Sequence, residues 1–482
     1  MSTRFELVIG LEVHAQLRTE TKIFCGCGTR FGAEPNAHVC PVCLGLPGAL
    51  PVLNRRVVEL AIRTGLALGC TIQPRSSFAR KNYFYPDLPK GYQISQYDQP
   101  IAIGGELTYE SEDGPRTVRI IRAHLEEDAG KSIHAGSGAS ERHTCLDFNR
   151  SGVPLVEIVT QPDIRSPSAA AEFFARLRGI LVAIGVSDGN MEEGSLRCDA
   201  NVSVRPKGKT ELGVKVEIKN LNSFRFLQRA LEYEWERQTT RCSASELIVQ
   251  ETRLWDEAVG RTVSMRTKEE AHDYRYFPDP DLPSVEVSDA WVEAVRDSLP
   301  ELPEACKQRL RDDYGLSPAA AAQIGESADL VRFFEETAKA SGNPKAACHW
   351  IAGELTRRLK ADGETVVSAG VAPAALAKLI GLVEIGTVSA SAAKDVFGRM
   401  YGSNREAEEI VRTEGLSQIG DQDELAEVVA GVVAEQPEAV ARFRGGNAGS
   451  LGFLVGQVMR ATGGRANPRL VNELLQRALA DD

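Results

Sequence analysis

The chain has 482 residues, of which 43% are hydrophobic and 26% charged, a composition typical of a globular protein of about three domains. Its net charge of −11 excludes a uniformly basic surface, so any contact with RNA must use local basic patches. It lacks both an apolar run of the ~18 residues that a membrane helix needs and the apolar core of a signal peptide. We therefore expect a cytoplasmic protein with reduced thiols and no membrane contact.

Three segments of the N-terminal half alternate between apolar and polar side chains, over residues 11–17, 196–205 and 214–219. A period of two predicts strands with one buried and one wet face, and this pattern favours an antiparallel sheet. The wet faces are rich in residues that bind metals and phosphates rather than in ordinary solubilising residues. They include Glu12, His14, Asp199, Glu217 and Lys219.

A metal site is predicted by two close cysteine pairs. Cys25 and Cys27 are separated by one residue, and Cys40 and Cys43 follow after a loop. Four thiolates at this spacing can surround Zn²⁺ tetrahedrally, which indicates a structural zinc without an open ligand position. His38 could replace one thiolate, and four unrelated buried cysteines are the alternative. We expect the remaining cysteines to be ordinary buried thiols: Cys70, Cys145, Cys198, Cys242, Cys306 and Cys348.

Residues 78–96 combine aromatic residues, two prolines and three basic residues in one short segment. This composition is too polar for a core strand and too aromatic for a linker. It predicts a preformed loop that presents Lys81 and Lys90 to an anionic ligand, although an ordered surface loop without function has a similar composition.

The segment HLEEDAGKS, residues 124–132, ends like a phosphate-binding Walker A loop. The first glycine of that motif would stand five residues before Gly130, where the chain has Leu125, so we exclude a Walker A loop. The acids Glu126 and Glu127 suit magnesium instead, because Mg²⁺ prefers carboxylate oxygens. Alternation on a strand that ends near Asp128 favours Glu126 as the ligand, and a solvated acidic turn is the alternative.

We predict an α+β protein with three domains. Residues 1–293 form an antiparallel-sheet domain, residues 294–405 a small helical domain, and residues 406–482 a helical tail domain. Proline-rich segments mark the first boundary. A switch in net charge indicates a basic C-terminal lobe in the tail, because residues 402–438 carry a net charge of −8 and residues 439–478 a net charge of +5.

The basic lobe of the tail predicts an RNA-binding surface. Its arginines flank glycine-rich turns that let a backbone approach phosphates closely. A docking module for an acidic partner is the alternative. The candidate RNA-binding residues are Arg442, Arg444, Arg460 and Arg465.

Several motifs in fixed order carry a family resemblance. They are IGLEVHAQL, the segment 78–96, HLEEDAGKS, LDFNRSGVPLVEIV, EEGSLRCDANVSVR and EIKNLNSFR, followed near the end by GSLGFLVGQVMRATGGRANPRLVNELL. Over residues 9–283 and again near the end, the chain resembles the GatB family, the B subunits of bacterial tRNA-dependent amidotransferases.

The resemblance implies a catalytic "cradle" domain that converts Glu-tRNA(Gln), Asp-tRNA(Asn) or both to the amidated product. ATP phosphorylates the side-chain carboxylate, and ammonia then displaces phosphate. The implied cofactors are ATP, Mg²⁺ and structural Zn²⁺. The implied partners are mischarged tRNA, an A subunit that is an amidase and supplies the ammonia, and a C subunit.

Roles for individual residues follow from the motifs and the resemblance together. The catalytic candidates are Glu12, His14, Glu126, Glu127, Glu217, Lys81 and Lys90. Four of them, Glu12, His14, Glu126 and Glu217, are the magnesium-ligand candidates. The candidates for contact with nucleotide or substrate are Asp199, Lys219, Asn149 and Asn220.

A second function class stays open at this point, a zinc-stabilised tRNA-binding adaptor without catalysis. An adaptor would need lysines and arginines but not clustered Glu, His and Asp on strand faces, which favours the enzyme.

Overall fold

The computed structural model describes residues 4–111, 114–133, 143–267, 274–403, 405–416, 422–447, 449–463 and 466–480. The chain divides into two compact units, Met1–Leu302 and Pro303–Asp482. Within the second unit, one hydrophobic core is built from residues between 306 and 411 and another from residues between 425 and 479.

The first unit contains the strands and four of the helices. The strands are β1 (Phe5–Gln16), β2 (Thr71–Ile72), β3 (Arg75–Ser76), β4 (Ala79–Asn82), β5 (Tyr92–Ser95), β6 (Ala102–Ile103), β7 (Glu106–Ser111), β8 (Gly114–Glu127), β9 (Lys131–Ile133), β10 (Cys145–Asp147), β11 (Pro154–Thr160), β12 (Leu196–Pro206), β13 (Val216–Lys219), β14 (Glu251–Asp256), β15 (Arg261–Thr267), β16 (Phe277–Pro278) and β17 (Val285–Glu286). The helices are α1 (Arg55–Ala67), α2 (Pro167–Ala183), α3 (Phe224–Ser243) and α4 (Asp289–Asp297).

One large sheet has the strand order β15-β14-β13-β12-β1-β11-β8-β5-β4-β16, with β6 and β7 also paired to β8. The predicted antiparallel arrangement is confirmed with one exception, the parallel pair β13 and β14. Helix α3 lies between these two strands in the chain, and a helical crossover is the usual connection for a parallel pair. Two small sheets, β9–β10 and β3–β17, complete the strands.

The predicted alternation determines which face of the sheet is buried. In β1 the side chains of Leu11, Val13 and Ala15 are fully buried, and β12 buries Cys198 and Ala200 in the same way. This apolar face belongs to one continuous core that also contains the apolar residues of α1, α2 and α3. The opposite face of the same strands is left for polar side chains.

A buried ion network fastens the β14–β15 hairpin to α3. Glu234 is fully buried and accepts hydrogen bonds from Arg237, Gln238 and Thr262. The guanidinium of Arg253 lies 3.1 Å from the same carboxylate. Because both arginines are largely buried, they depend on Glu234 for charge compensation.

The described part of the second unit is helical. Its helices are α5 (Pro303–Tyr314), α6 (Pro318–Ile324), α7 (Ala328–Ser341), α8 (Pro344–Trp350), a π-helical segment (Ile351–Leu355), α9 (Thr356–Asp362), α10 (Pro373–Glu384), α11 (Ala390–Met400), α12 (Ala407–Thr413), α13 (Gln422–Glu435), α14 (Pro437–Arg444), α15 (Gly449–Ala461) and α16 (Pro468–Ala480). None of the helices in the described ranges is long and apolar enough to cross a membrane.

The last two helices pack through apolar side chains, and the final helix has a side-chain cap. Leu454 and Val458 of α15 are fully buried. Helix α16 begins at Pro468, and the Asn467 side chain accepts a hydrogen bond from the Arg469 backbone, which caps the helix. Helix α13 belongs to the same core through Leu425 and other apolar residues, so α15 and α16 do not form this core by themselves.

We predict that Glu234→Gln lowers the free energy of unfolding of the first unit by about 3 kcal/mol, because it removes the fully buried counter-charge that Arg237 and Arg253 share and leaves only Glu251 to compensate both arginines. Urea titration followed by tryptophan fluorescence measures the change. Glu236→Gln, at an exposed position of the same helix, is the control and should change stability by less than about 0.5 kcal/mol. Equal effects of the two substitutions would contradict the structural importance of the network.

Candidate active site and metal centres

The register of four neighbouring strands aligns ionisable side chains in a row across the polar face. His14 of β1 lies opposite Arg197 of β12 and opposite Glu157 of β11. Glu157 in turn lies opposite His124 of β8. Residues in register on adjacent strands and on one face are close enough to interact directly, so the sheet itself assembles this group.

A compact group of three possible metal ligands lies at this row. The His14 Nε2 atom is 3.3 Å from Glu157 Oε2 and 3.4 Å from Glu126 Oε1. Ligand atoms of these three residues lie within 4.8 Å of one another. His124 Nε2 is 3.3 Å from Glu157 Oε2 and thus supports the carboxylate from the other side. One imidazole and two carboxylates in this arrangement can hold a hard divalent cation.

The charge of this group depends on whether His14 is protonated or ligates a metal ion. Burial lowers the pKa of His14, but the neighbouring charges of Glu157 and Glu126 outweigh burial and raise it to about 9. The pKa of Glu157 is held well below its usual range by the two histidines, in spite of its burial. The imidazole must lose its proton before it can ligate a metal.

A second acidic group follows two residues further along the same strands. Glu12 lies opposite Asp199, and Asn201 lies opposite Glu217. The Asn201 amide donates a hydrogen bond of 2.7 Å to Glu12, and Thr252 donates one of 2.9 Å to Glu217. Three carboxylates therefore face the same side of β1, β12 and β13.

Lys219 balances part of this negative charge. Its Nζ atom donates to Asp199 at 2.7 Å and lies 3.4 Å from Glu217. Burial alone would lower the pKa of Lys219, but Asp199 and Glu217 raise it above its ordinary value. The lysine is therefore fully charged and fixed among the acids.

Both groups adjoin a pocket of about 450 Å³. A further cation, Lys81 of β4, lines it, and the pKa of Lys81 is raised by Tyr276, Glu126 and Glu157 although burial lowers it. Six of the predicted residues line this pocket: His14, Lys81, Glu126, Asp199, Lys219 and Asn220. Glu12 and Glu217 do not line the pocket, but they lie on the same face of the sheet. Glu12 contacts Asn201 there, and Glu217 contacts Lys219.

An ion pair that the sequence did not reveal closes one side of the pocket. Arg197 donates to Asp128 Oδ2 at 2.8 Å, and Gln16 donates to the same oxygen at 3.2 Å. The carboxylate of Asp128 raises the pKa of Arg197 further above its ordinary value. The pair fixes the end of β8 against β1 and β12.

Lys90 and Glu127 lie outside this pocket, which corrects their predicted grouping with Glu126. Successive residues of a strand point to opposite faces, so Glu127 points away from Glu126. Its carboxylate accepts hydrogen bonds from Lys90 and from the Ile94 backbone, and it lines a separate cavity of about 260 Å³ beside Cys43.

The two asparagines also differ in position. Asn220 lines the pocket with a left-handed backbone, φ 66°, and donates to the Trp255 carbonyl at 3.1 Å. A left-handed non-glycine residue is uncommon and is found more often at functional sites. Asn149 does not line the pocket. Instead it accepts a hydrogen bond from the His38 backbone and donates one to the Glu34 carbonyl, and its predicted substrate contact stays a prediction.

Glu157 and His124 are the members of the site that sequence reasoning did not select as ligands. β11 is apolar on both faces, with the sequence PLVEIVT, so it shows no alternation. The signal that could have identified Glu157 is a single acid within an apolar strand, since such an acid needs a partner.

The predicted cysteine cluster forms. Ligand atoms of Cys25, Cys27, Cys40 and Cys43 lie within 4.8 Å of one another, and the sulfurs of Cys40 and Cys43 are 3.9 Å apart. Tetrahedral zinc with Zn–S bonds of about 2.3 Å requires about 3.8 Å between sulfurs, so the four residues fit this metal. His38 is not part of the cluster. Among the other cysteines, Cys145 is exposed, which corrects the prediction that it is buried.

The end of HLEEDAGKS has a packing role. A side chain at Gly130 would lie 2.9 Å from the Asp87 carbonyl oxygen and from the ring of Phe148. The glycine therefore allows close packing of two loops, and Lys131 continues into β9. This arrangement agrees with the exclusion of a Walker A loop.

The candidate RNA-binding arginines lie in the second unit. Arg442 and Arg444 lie in the last turn of α14, and Arg460 lies in the last turn of α15. Arg442 is largely exposed. Arg465 lies outside the described residues.

Comparisons with known proteins cover nearly the whole chain. The family model described as the GatB/GatE catalytic domain matches residues 7–293, and the one described as the GatB domain matches residues 332–479. The chain is 54% identical over 478 residues to the B subunit of an aspartyl/glutamyl-tRNA(Asn/Gln) amidotransferase from Thermodesulfovibrio yellowstonii, covering 99% of this chain and 100% of the relative. Two relatives of the same name are similar to the chain to the same degree. The one from Carboxydothermus hydrogenoformans is 52% identical over 476 residues, and the one from Anaeromyxobacter sp. is 54% identical over 483. Each alignment covers 99% of this chain and 99% of the relative.

We predict that the purified protein carries about one zinc per chain and that the double substitution Cys25→Ser, Cys40→Ser removes it. Loss of the metal should lower the thermal transition of the first unit, because metal binding is coupled to folding. Elemental analysis and thermal scanning measure the two effects. Cys145→Ser is the control, since this exposed thiol lies outside the cluster. Unchanged zinc content in the double variant would rule out the site.

Proposed function

Since the chain belongs to the GatB family, we propose that it is the transamidating subunit of an aspartyl/glutamyl-tRNA(Asn/Gln) amidotransferase. The proposed substrate is tRNA mischarged with Glu or Asp, and the proposed co-substrate is ATP. An oxygen of the side-chain carboxylate attacks the γ-phosphorus, and ADP leaves. Ammonia then attacks the resulting acyl phosphate at carbon, loses a proton, and phosphate leaves.

The observation that carries this proposal is the polar sheet face, which combines two groups of carboxylates with fixed cations around one pocket. Both substrates are anions, so the transfer needs charge neutralisation at fixed positions. Lys81 and Lys219 are both charged, and they reach the pocket from strands on opposite sides of β1 in the sheet. Their ammonium groups suit a phosphate or a carboxylate.

The acidic groups fit magnesium by their donor chemistry. His14, Glu126 and Glu157 would hold one ion. The carboxylates of Glu12, Asp199 and Glu217, which face the same side of neighbouring strands, would attract a second. Bound there, Mg²⁺ would neutralise phosphate charge during the transfer. The protein's own contribution is orientation. His124 supports Glu157, Asn201 supports Glu12 and Thr252 supports Glu217, so that the ligands are fixed before substrate arrives.

The ammonia is proposed to come from a partner. The sequence contains no recognisable amidase signature, and the relatives are named as one subunit of an amidotransferase, which implies an assembly of several subunits. We propose that an amidase A subunit supplies ammonia and that a C subunit completes the complex. A tRNA-binding adaptor without catalysis accounts less well for the chain, because RNA phosphates would be repelled by the five carboxylates of the two groups on one face.

We predict that Glu126→Gln and Glu157→Gln each reduce ATP-dependent transamidation at least about 100-fold, since each removes a group that positions charge in the transfer. The assay uses the assembled complex, mischarged tRNA and ammonium chloride as the nitrogen source, so that glutamine hydrolysis does not contribute. Glu106→Gln, at an exposed position of β7, is the matched control and should be fully active.

Two results would decide against this site. Full activity of both site variants would remove it, whereas loss of zinc or of subunit assembly in the variants would assign the carboxylates a structural role.

The second proposal concerns the C-terminal helices. We propose that the arginines at the ends of α14 and α15 contact the phosphate backbone of the tRNA. Arg442 and Arg444 precede the pair Gly445-Gly446, where a backbone can approach phosphates closely. Because α13 shares its core with α15 and α16, removing the lobe would expose the apolar side of α13. Substitution of arginines therefore tests the proposal better than truncation.

We predict that the triple substitution of Arg442, Arg444 and Arg460 by Gln weakens tRNA binding. It should also reduce the slope of log K against log salt by about 2, since each lost phosphate contact reduces it by roughly 0.7 to 0.9. Titrations across salt concentrations measure the slope. Arg332→Gln, an exposed arginine of α7, is the control. An unchanged slope together with weaker subunit assembly would assign the arginines to a protein interface.

A further inference from the structure

A patch of aromatic rings lies outside the carboxylate groups. It consists of Tyr83, Phe84, Tyr85, Tyr274 and Phe277, and we call it the aromatic platform. Three of these rings are unusually accessible, since Phe84 is 87% exposed, Tyr85 50% and Phe277 45%. The platform borders a groove of about 850 Å³, with Asn82 and Arg275 at its rim. Contiguous exposed aromatic surface of this kind usually marks a binding site.

The platform is assembled by specific contacts between distant segments of the chain. The Asn82 amide donates to the Arg275 carbonyl at 2.9 Å and to the Tyr274 carbonyl at 3.3 Å. Strand β16 pairs with β4 and thereby aligns Phe277 with Arg80. Arg275 adopts a left-handed backbone with φ 48°, which is unfavourable for a residue with a long side chain.

The rings contact one another mainly edge to face. The centroid of Tyr83 lies 5.9 Å from that of Tyr85 and 6.0 Å from that of Tyr274. Phe84 has a glycine, Gly91, beneath its ring, so its outer face stays open to solvent. The outer face of Phe84 therefore provides flat apolar surface that the described side chains leave open to solvent.

The platform is continuous with the proposed active site. Tyr83 lines both the groove and the pocket that contains His14 and Glu126. The Nζ atom of Lys81, which lines the pocket, lies 5.0 Å from the centroid of Tyr274 and 5.8 Å from that of Tyr83. A ligand that reaches the carboxylates past Tyr83 would therefore pass over aromatic rings beside a cation.

We propose that the aromatic platform holds the unpaired nucleotides at the 3′ end of the tRNA by base stacking. The inference rests on the proposed function, in which the reacting amino acid is esterified to the terminal nucleotide. When that amino acid occupies the pocket, the nucleotides attached to it must lie just outside. Aromatic rings beside cations are the usual means of holding single-stranded nucleic acid without sequence preference, because every base has a flat face. Lys81 and the exposed Arg275 supply positive charge at the two ends of the platform.

The test uses the assembled amidotransferase complex with Phe84→Ala, Phe277→Ala and the restoring variant Phe84→Trp. Binding is measured to intact tRNA and to the same tRNA without its unpaired 3′ nucleotides. We expect each alanine variant to bind intact tRNA about tenfold more weakly, in line with the loss of one stacked base. Both should bind shortened tRNA like the wild type, and Phe84→Trp should retain the binding of intact tRNA. Phe31→Ala, at another exposed phenylalanine of the first unit, is the matched control.

Other outcomes would overturn the proposal. Equal weakening for both tRNAs, or no weakening, would remove the platform from the 3′ end. A higher KM for ATP with unchanged tRNA binding would indicate stacking of the adenine of ATP. Loss of subunit assembly in gel filtration would indicate a protein interface. Failure of the proposed function is distinguishable, because the wild-type complex would then lack ATP-dependent transamidation while the difference between the two tRNAs remained.

Discussion

The register between β1, β8, β11 and β12 is the constraint on which the candidate site depends. Leu11, Val13 and Ala15 are fully buried beneath the sheet, so β1 can shift neither way by one residue without moving these side chains into water. The same register sets His14 beside Glu157 and Glu12 beside Asp199. The hydrophobic effect on one face thus determines the position of charges on the other, and no ligand is needed to assemble them.

Charge compensation is the second requirement, because carboxylates at this density would otherwise repel one another. Positively charged side chains are interspersed with the acidic ones. His14 lies between Glu126 and Glu157, Lys219 lies between Asp199 and Glu217, and Arg197 is bound to Asp128. Neutralising Lys219 or His14 would therefore change the charge of a whole group, and a divalent cation that binds there competes with an existing positive charge. A divalent cation bound at either group would thus replace one form of charge neutralisation with another.

Local patterns predicted the parts of the site that depend on local geometry. The alternation of β1, β12 and β13 revealed Glu12, His14, Asp199 and Glu217, and the spacing of the cysteines revealed the metal cluster. Glu157 was missed because β11 is buried on both faces and carries no periodic signal. The position of Lys90 outside the pocket could not be predicted from the segment 78–96 alone, whereas strand alternation already directs Glu127 away from Glu126. The position of Lys90 depends on how β5 pairs with β4 on one side and with β8 on the other, and the pairing with β8 joins residues far apart in the chain. The same holds for the aromatic platform, whose second half comes from β16 and the residues just before it.

Hydrogen bonds connect the cysteine cluster to the strands that carry the carboxylates. Lys22 is fully buried between the cluster and the following loop, and it donates to the carbonyls of His38 and Phe148. The loop that contains Phe148 leads into β11, and its Gly152 backbone donates to the Asp128 carbonyl at the end of β8. A metal that ordered residues 25–43 would therefore also support the residues just before β11, which hydrogen-bond to the end of β8. Without that restraint the two strands would keep their hydrogen bonds in the sheet, but their ends, including the Asp128–Arg197 pair, would lose support on one side. A metal bound by the four cysteines would therefore be connected to the carboxylate group through a buried lysine rather than through a shared ligand.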